Sequence, residues 1–370
     1  MKAVAKFSFY ICAVLLAVVA WSCERDDDEP RKPRKPISRL YVSTSDYVEN
    51  SSGNQNRNVF VIDPADSTVF TSQGALSFTS GAFGGNVIHF SPFAKSIFQS
   101  GMNAPSLIDP DTTIQVMSVN DNGQVAPSGR VGNRLFNNVK GLVYNSFDDQ
   151  LFFTNHGNGP GAGGDTLSVF VVNRPKNIRG FAKPAYQVIL EDRAWAMQLD
   201  STHLYMSKTG EDGGMLVFRN FIDIVNAKRD TLVQDIAPTY RLTVPGSSNI
   251  RGFAYSKVSD VLVLTDYVQN GGVFSDARVL VFEDFSKQTT TGNMTPTRVI
   301  GGNATLLRQP VDVAIDTREG GRYIYVADAG AKKVLRFKIS DEGDVAPDNE
   351  LSVGNTPQSV FLDSRGPNEY

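Results

Sequence analysis

Cysteine is nearly missing from this chain. Cys12 and Cys23 are the only two among 370 residues, and both fall within the first 23. The rest can form no internal disulfide and must hold by packing. Charge of one sign is also missing, with 36 Lys and Arg against 39 Asp and Glu for a net −3. No polyanion-binding surplus follows from that balance, and no basic–aromatic interleaving marks a nucleic-acid partner. The longest apolar run, residues 7–20, has the length of a signal-peptide core and falls short of the usual membrane span. Histidine is limited to His89, His156 and His203, and no G-x-S-x-G elbow accompanies them. A triad of His156, Asp266 and a serine therefore lacks its nucleophile motif. Helix-period patterning is almost absent, with residues 221–233 (FIDIVNAKRDTLV) the one candidate for a short helix or long loop. The formal G-x-G-x-x-G within residues 157–164 (GNGPGAGG) leads into a strand, so no helix N-terminus can receive phosphate there. It reads as a flexible loop, able to cover a channel mouth.

Short β-branched and aromatic runs, bounded by Gly, Asp, Asn and Pro, are abundant instead. Residues 310–339 (PVDVAIDTREGGRYIYVADAGAKKVLRFKI) hold three such runs, and the pattern recurs. First strands, called A, read NVIHFS (86–91), KGLVYN (140–145), WAMQLD (195–200), RGFAYS (251–256), VDVAID (311–316) and QSVFLD (358–363). Their second residues, Val87, Gly141, Ala196, Gly252, Asp312 and Ser359, are spaced by 54, 55, 56, 60 and 47 positions. Second strands, B, read SIFQS, LFFTN, LYMSK, LVLTD and IYVAD; third strands, C, read IQVMSV, LSVFVV, MLVFRN, VLVFED and VLRFKI. Weaker fourth strands, D, fall at 125–132, 186–190, 240–244, 297–300 and 349–353. A β-sandwich also has many short strands. A fixed period of four strands favours an all-β propeller, whose units bury their faces only by packing on one another.

The ends of the chain set the blade count. The sixth A strand is followed by only seven residues, while RLYVSTS (39–45) and NVFVID (58–63) read as an unattached B and C pair. The reading is a six-bladed β-propeller of four-stranded blades. Its ring is closed by N-terminal strands pairing with the C-terminal one, which leaves no open edge. One domain covers residues 39–370 and is expected to be monomeric.

Residues 1–22 form a targeting segment, with Lys2 and Lys6 before the apolar run and AWSC at 20–23. The segment resembles a bacterial lipoprotein signal peptide, which implies a lipid on Cys23; a cleaved secretory peptide or a retained anchor are the other readings. Loss of Lys2 and Lys6 would take the net charge from −3 to −5. The acidic run ERDDDE (24–29) resembles the surface-export signal of lipoproteins in the Bacteroidetes, and PRKPRKP (30–36) reads as an extended spacer. Residues 23–38 are thus a tether. The implied location is the outer membrane, at the cell surface or facing the periplasm, with the membrane as a partner through the lipid.

The fifth copy, with QPVDVAID and RYIYVADAGAKKVLRFK, resembles an NHL-type repeat. The segments GQVAPSGRVGN (123–133), NMTPTRVIGG (293–302) and GDVAPDNELSVG (343–354) resemble the outer strand of bacterial secreted relatives. Asp312 stands where that family usually has Gly. Folds of this kind include gluconolactonase-like metal hydrolases, TolB-like modules and pure binding domains, so fold does not fix function.

In such a propeller the D–A and B–C loops share one face around the channel, here called the top. A-strand starts bring Asn86, Lys140, Trp195, Arg251, Val311 and Gln358 there; B-strand ends bring Asp46, Asn155, His156, Lys208, Asp266, Tyr267 and Asp328. The ligand candidates are Lys140, His156, Trp195, Lys208, Arg251, Asp266 and Gln358. Lys140, Trp195 and Arg251 suit an anionic or sugar-like ligand through charge-assisted bonds and stacking. A small molecule, a glycan or a protein are all open as partners, as is a solvated loop face with none. Asp328 reads as a turn former. The hydrolase alternative needs Ca²⁺ or Zn²⁺ held by oxygens such as those of Asp46, Asn155, Asp266 and Asp328. A third alternative is an interaction scaffold within an envelope complex.

Overall fold

The computed structural model describes residues 35–46, 57–102, 111–120, 122–136, 138–157 and 167–367. The leader, Cys23, the acidic run and most of the tether lie outside the described residues, as does most of the glycine-rich loop. Pro36–Tyr370 form one unit.

Six small antiparallel sheets make the ring, numbered here by their A strands. Blade 1 is Gly85–Ser91, Ser96–Gly101, Ile114–Val119 and Val125–Gly132; blade 2 is Val139–Asn145, Gln150–Asn155, Ser168–Asn173 and Tyr186–Ile189. Blade 3 is Ala194–Asp200, His203–Lys208, Gly214–Phe218 and Tyr240–Thr243; blade 4 is Phe253–Ser256, Val261–Asn270, Val273–Glu283 and Arg298–Gly301. Blade 5 is Pro310–Ile315, Tyr323–Asp328, Lys333–Lys338 and Asn349–Ser352. Blade 6 joins the chain ends: Pro357–Arg365 pairs with Ile37–Thr44, which pairs with Val59–Ile62. Its register runs from Ile37 opposite Arg365 to Thr44 opposite Pro357. In place of a fourth strand, single bridges join Val59 to Phe78 and Ile62 to Ser72.

Three blades carry a fifth strand that the sequence does not suggest. Arg179–Phe181 runs parallel to the D strand of blade 1, Leu232–Val233 to that of blade 2, and Gly292–Asn293 to that of blade 3. Gly343 bridges Ile300 of blade 4 in the same sense. Each comes from the C–D connection of the next blade, so every one latches two neighbours. The segment 221–233, open between a short helix and a long loop, is a helix over Phe221–Lys228 and a latch at Leu232–Val233, within one of these connections.

The apolar core lies between blades. One cluster sets Val263 and Val281 of blade 4 against Val313, Ile324 and Leu335 of blade 5. The N-terminal strand packs on both sides, Leu40 and Val42 on blade 5 and Tyr41 on Ile88 and Phe90 of blade 1. Full burial of each such side chain stabilises by about 1.5–3 kcal/mol.

Near the axis the A strands approach backbone to backbone. A Cβ on Gly141 would lie 2.6 Å from the Trp195 carbonyl oxygen, and one on Gly252 would lie 2.4 Å from the Asp312 Cα. Only glycine fits those two places. Counting the blade 4 B strand to Asp266, where the aligned repeat ends, the penultimate B residue carries a hydroxyl in every blade but one: Ser43, Ser100, Thr154, Ser207 and Thr265. Ser100, Ser207 and Thr265 accept an A-strand N–H of their own blade, from Val87, Ala196 and Gly252 at 3.1, 3.0 and 3.1 Å. Thr154 and Ser207 donate onward to the next blade, to the Trp195 and Arg251 carbonyls at 2.7 and 2.5 Å.

Blade 5 has Ala327 at the hydroxyl position, and Asp312 supplies the missing oxygens. Its carboxylate accepts from the Ser359 hydroxyl at 2.5 Å, Val360 N–H at 3.0 Å and Val313 N–H at 2.9 Å. Ser359 in turn accepts Ile88 N–H at 3.2 Å, so one chain of bonds crosses blades 5, 6 and 1. Asp312 thus does a structural job where the NHL pattern has Gly. Burial pushes its carboxyl up to about 6 despite these donors.

Asp312→Ala strands the Ser359 and Val360 donors and is expected to lower stability at pH 7 by roughly 1–3 kcal/mol in urea unfolding. The folded protein holds a proton on Asp312 that the unfolded chain releases near 3.8, the ordinary value for Asp. Its stabilising share is therefore fully present below that value and falls as pH rises through about 6. The deficit of the variant should accordingly be larger at pH 5 than at pH 8.

Candidate functional site

The top face is built where B strands end and A strands begin. In five blades a polar residue near the top of the B strand, or in the B–C connection that follows, recurs as a pin for its own blade's D–A loop. Asp328 accepts the N–H groups of Arg308, Gln309 and Ala331 at 2.8, 3.0 and 2.7 Å. Asp266 accepts those of Ser248 and Asn249 at 3.0 and 2.8 Å, and also holds Arg278 at 2.7 Å. Asp46 takes Thr356 N–H, Asn155 takes Asn138 N–H at 3.1 Å, and Asp111 takes Phe83 N–H at 3.1 Å. The oxygens that the sequence offers as metal ligands, those of Asp46, Asn155, Asp266 and Asp328, are all pins of this kind. Each points into its own blade. Among the described residues, no three His, Cys, Asp or Glu side chains group as a metal site requires.

Blade 3 breaks the pattern. Lys208 stands at the pin position, and its Nζ donates to the Asp212 carbonyl of its own loop at 3.2 Å. The acids of that blade's D–A loop face away from the axis: Glu191 and Asp192 pair with Arg241 at 3.8 and 3.0 Å. The face here loses the acceptor that the other blades keep, which is a carboxylate in blades 1, 4, 5 and 6 and the Asn155 amide in blade 2.

Around that gap the structure brings together four of the seven candidates, drawn from blades 2, 3 and 4. A bulge between Ala194 and Met197 frees Trp195 from strand pairing. The Lys140 Nζ lies 4.9 Å from the Trp195 ring centroid, and the Arg251 guanidinium carbon lies 4.5 Å from it. Arg251 also sits 5.2 Å from the Tyr267 ring. His156 stands edge-on to Trp195 at 5.1 Å, and its Nε2 is 2.6 Å from the Ala194 carbonyl oxygen. The other three candidates are elsewhere. Lys208 closes its B strand and turns its Nζ to the Asp212 carbonyl, Asp266 is 1 % exposed beneath Arg278, and Gln358 donates to the Ser45 hydroxyl of blade 6 at 3.2 Å. Arg193, which is not among the sequence candidates, is an exposed member of the cluster. Its charge acts on both Lys140 and Arg251.

Among the described residues, no carboxylate pairs with Lys140, Arg193 or Arg251. Burial, with Arg251 and Arg193 adding repulsion, pushes the Lys140 ammonium down to about 8. Burial also lowers Arg251; Arg193 adds to this and Tyr267 opposes it. The Arg251 Nε is buried with no hydrogen-bond partner. A buried donor left unpaired costs about 1–3 kcal/mol. Two cations beside an aromatic face, a third whose charge reaches both, and a desolvated donor to spare are suited to receive an anion. His89, by contrast, lines the central channel. Burial holds it neutral with its pKa down to about 3, and its ring meets Phe361 edge-on at 4.8 Å.

No protein-family model matches the chain, and no curated protein does. The NHL resemblance therefore has no family-level support. Solved structures do match in fold. A periplasmic gluconolactonase of Pseudomonas aeruginosa aligns with 13 % identity and a TM-score of 0.55, over 88 % of this chain and 99 % of that one. A protein from Lactobacillus plantarum aligns with 10 % identity and a TM-score of 0.50, over 88 % and 99 %. At such identities the likeness establishes the six-bladed propeller alone.

Lys140→Met removes a charge that the fold holds under strain. It is expected to raise the stability of the ligand-free protein by roughly 1–3 kcal/mol at pH 7. The wild-type lysine sheds its proton at about 8 when folded and at 10.5 when unfolded, so the gain should shrink across that interval. Urea unfolding at pH 7 and pH 10 measures both values.

Proposed function

We propose that this protein is a lipid-anchored propeller of the cell envelope whose top face binds an anionic small molecule without catalysis. The observation that carries the reading is the unmatched cation cluster. Arg251 and Lys140 flank Trp195 with no carboxylate partner among the described residues, and the buried Arg251 Nε lacks an acceptor. The anionic group bonds to Arg251 and Lys140. The remainder of the ligand, a sugar acid for example, stacks on Trp195. Arg193 raises the local potential at the rim. A lipid on Cys23 is carried over from the signal-peptide resemblance.

The second reading is a lactonase-type hydrolase, the activity by which the Pseudomonas aeruginosa propeller is named. Opening a sugar lactone yields a carboxylate, which the same cluster would hold. Hydrolysis also needs a base or a metal. The oxygens nearest that description, on Asp46, Asn155, Asp266 and Asp328, already serve backbone donors.

Calorimetric titration with gluconate, and with inorganic phosphate as a second probe, tests the binding. Arg251→Ala is expected to weaken it by about tenfold or more, the scale of a lost charge-assisted bond. Wild-type affinity should fall as pH rises through about 8, where Lys140 loses its charge; Lys140→Met should lack that fall. Acceleration of gluconolactone hydrolysis that chelation abolishes would replace the binding reading with the catalytic one. Equal affinity in wild type and Arg251→Ala would remove the cluster from either.

A further inference from the structure

We propose that the bottom face of the propeller, opposite the cation cluster, lies against the lipid bilayer. The proposal rests on the lipid-anchor reading but draws on separate observations. The first is where the chain enters the ring. Ile37 pairs with Arg365, the last residue of the blade 6 A strand, so Ile37 is at the bottom end. Pro36 sits there too, in a pocket with Arg318–Tyr323 turn residues of blade 5, Gly366 and Pro367. Residues 24–36 separate Cys23 from this point. Fully extended, they span at most about 45 Å.

The second observation is a repeated exposed position. The A–B turns form the bottom rim. In the turns of blades 1, 2 and 4 the second residue is apolar: Phe93, Phe147 and Val258, with 75, 90 and 62 % of their surface exposed. Turn tips ordinarily carry polar or small residues. These side chains add nothing to the inter-blade clusters, so the fold does not require them. Phe93 and the neighbouring turn residues Pro92 and Ser146 border the lower mouth of the channel. Blade 5 has Arg318 on this rim, paired with Asp66 and Asp316 at 2.7 and 2.6 Å beside the tether. The chemistry is that of an interfacial contact: a few aromatic and aliphatic tips enter the headgroup boundary while a covalent lipid supplies the affinity. The top-face cluster then points away from the membrane.

Depth-dependent quenching tests this orientation. The full chain, expressed with its leader, is reconstituted in phosphatidylethanolamine–phosphatidylglycerol vesicles containing brominated lipid. Phe147→Trp reports the bottom rim. Val273→Trp, at a top-face hairpin tip 68 % exposed, reports the other side. The added signal at 147 is expected to drop by about twofold or more, and that at 273 to stay unchanged. Equal quenching at both positions, or none at 147 while the chain floats with vesicles, overturns the docking and leaves the anchor standing. If the chain fails to float, the anchor reading fails by itself. Quenching at 147 with excess added vesicles still upholds the docking in that case, and its absence ends it. Sedimentation of Cys23→Ser gives the remaining arm. A dimer that Phe93→Ser and Phe147→Ser together dissolve would assign these tips to a second copy and overturn the lipid contact.

Discussion

Six A strands share one axis, and where blade 2 meets blade 3 and blade 4 meets blade 5 the neighbouring backbones leave no room for a methyl group. That crowding sets much of what surrounds it. It demands glycine at Gly141 and Gly252, and it accompanies bulges at the strand starts. Hydroxyls at the penultimate B position then satisfy the N–H and C=O groups that the bulges release. Blade 5 shows how tightly the requirement binds. With Ala327 unable to help, Asp312 takes over from within the A strand and accepts a raised pKa to do so. The bulges also free the first A-strand side chains from the ladder and turn them toward the top of the channel, where a ligand can meet them.

The same economy governs the acids of that face. A carboxylate or amide closing a B strand is used to hold a D–A loop, which leaves the face poor in free acids although the sequence is rich in them. Blade 3 lacks its pin, and beside that gap stand Lys140, Trp195, Arg193 and Arg251. Holding those cations together works against the fold: burial depresses the pKa values of Lys140 and Arg251, and repulsion from neighbouring arginines adds to it. Such strain is characteristic of a binding site, where stability is given up for affinity. An anion entering the cluster would relieve repulsion and desolvation together.

Much of this architecture is legible in the sequence. Alternating β-branched runs mark the A, B and C strands, and the orphaned B–C pair at 39–63 locates the closure with blade 6. The parallel latches are not legible, because two or three residues such as Leu232–Val233 carry no alternation to recognise. Lys140, Trp195, Arg251 and His156 stand out as places where the aligned copies differ, and the structure groups them. Asp266 and Asp46 look equally suitable, since a B-end carboxylate reads the same whether it faces the channel or its own loop. Arg193 lies two residues outside the aligned strands; only uncompensated charge in the D–A loops distinguishes it. Asp312 departs visibly from Gly, but its partner Ser359 lies 47 positions away and only the ring brings them together.

The function of the top face turns on whether its cations form an anion site. Bromide soaked into a crystal of the protein, located by its anomalous scattering, decides this whatever the natural ligand is. The expected finding is a peak over Trp195 within hydrogen-bonding reach of both Arg251 and Lys140, lost in Arg251→Ala. A map with no peak there, or one in which Arg251 and Lys140 have turned to pair with carboxylates of the protein, would contradict the assignment.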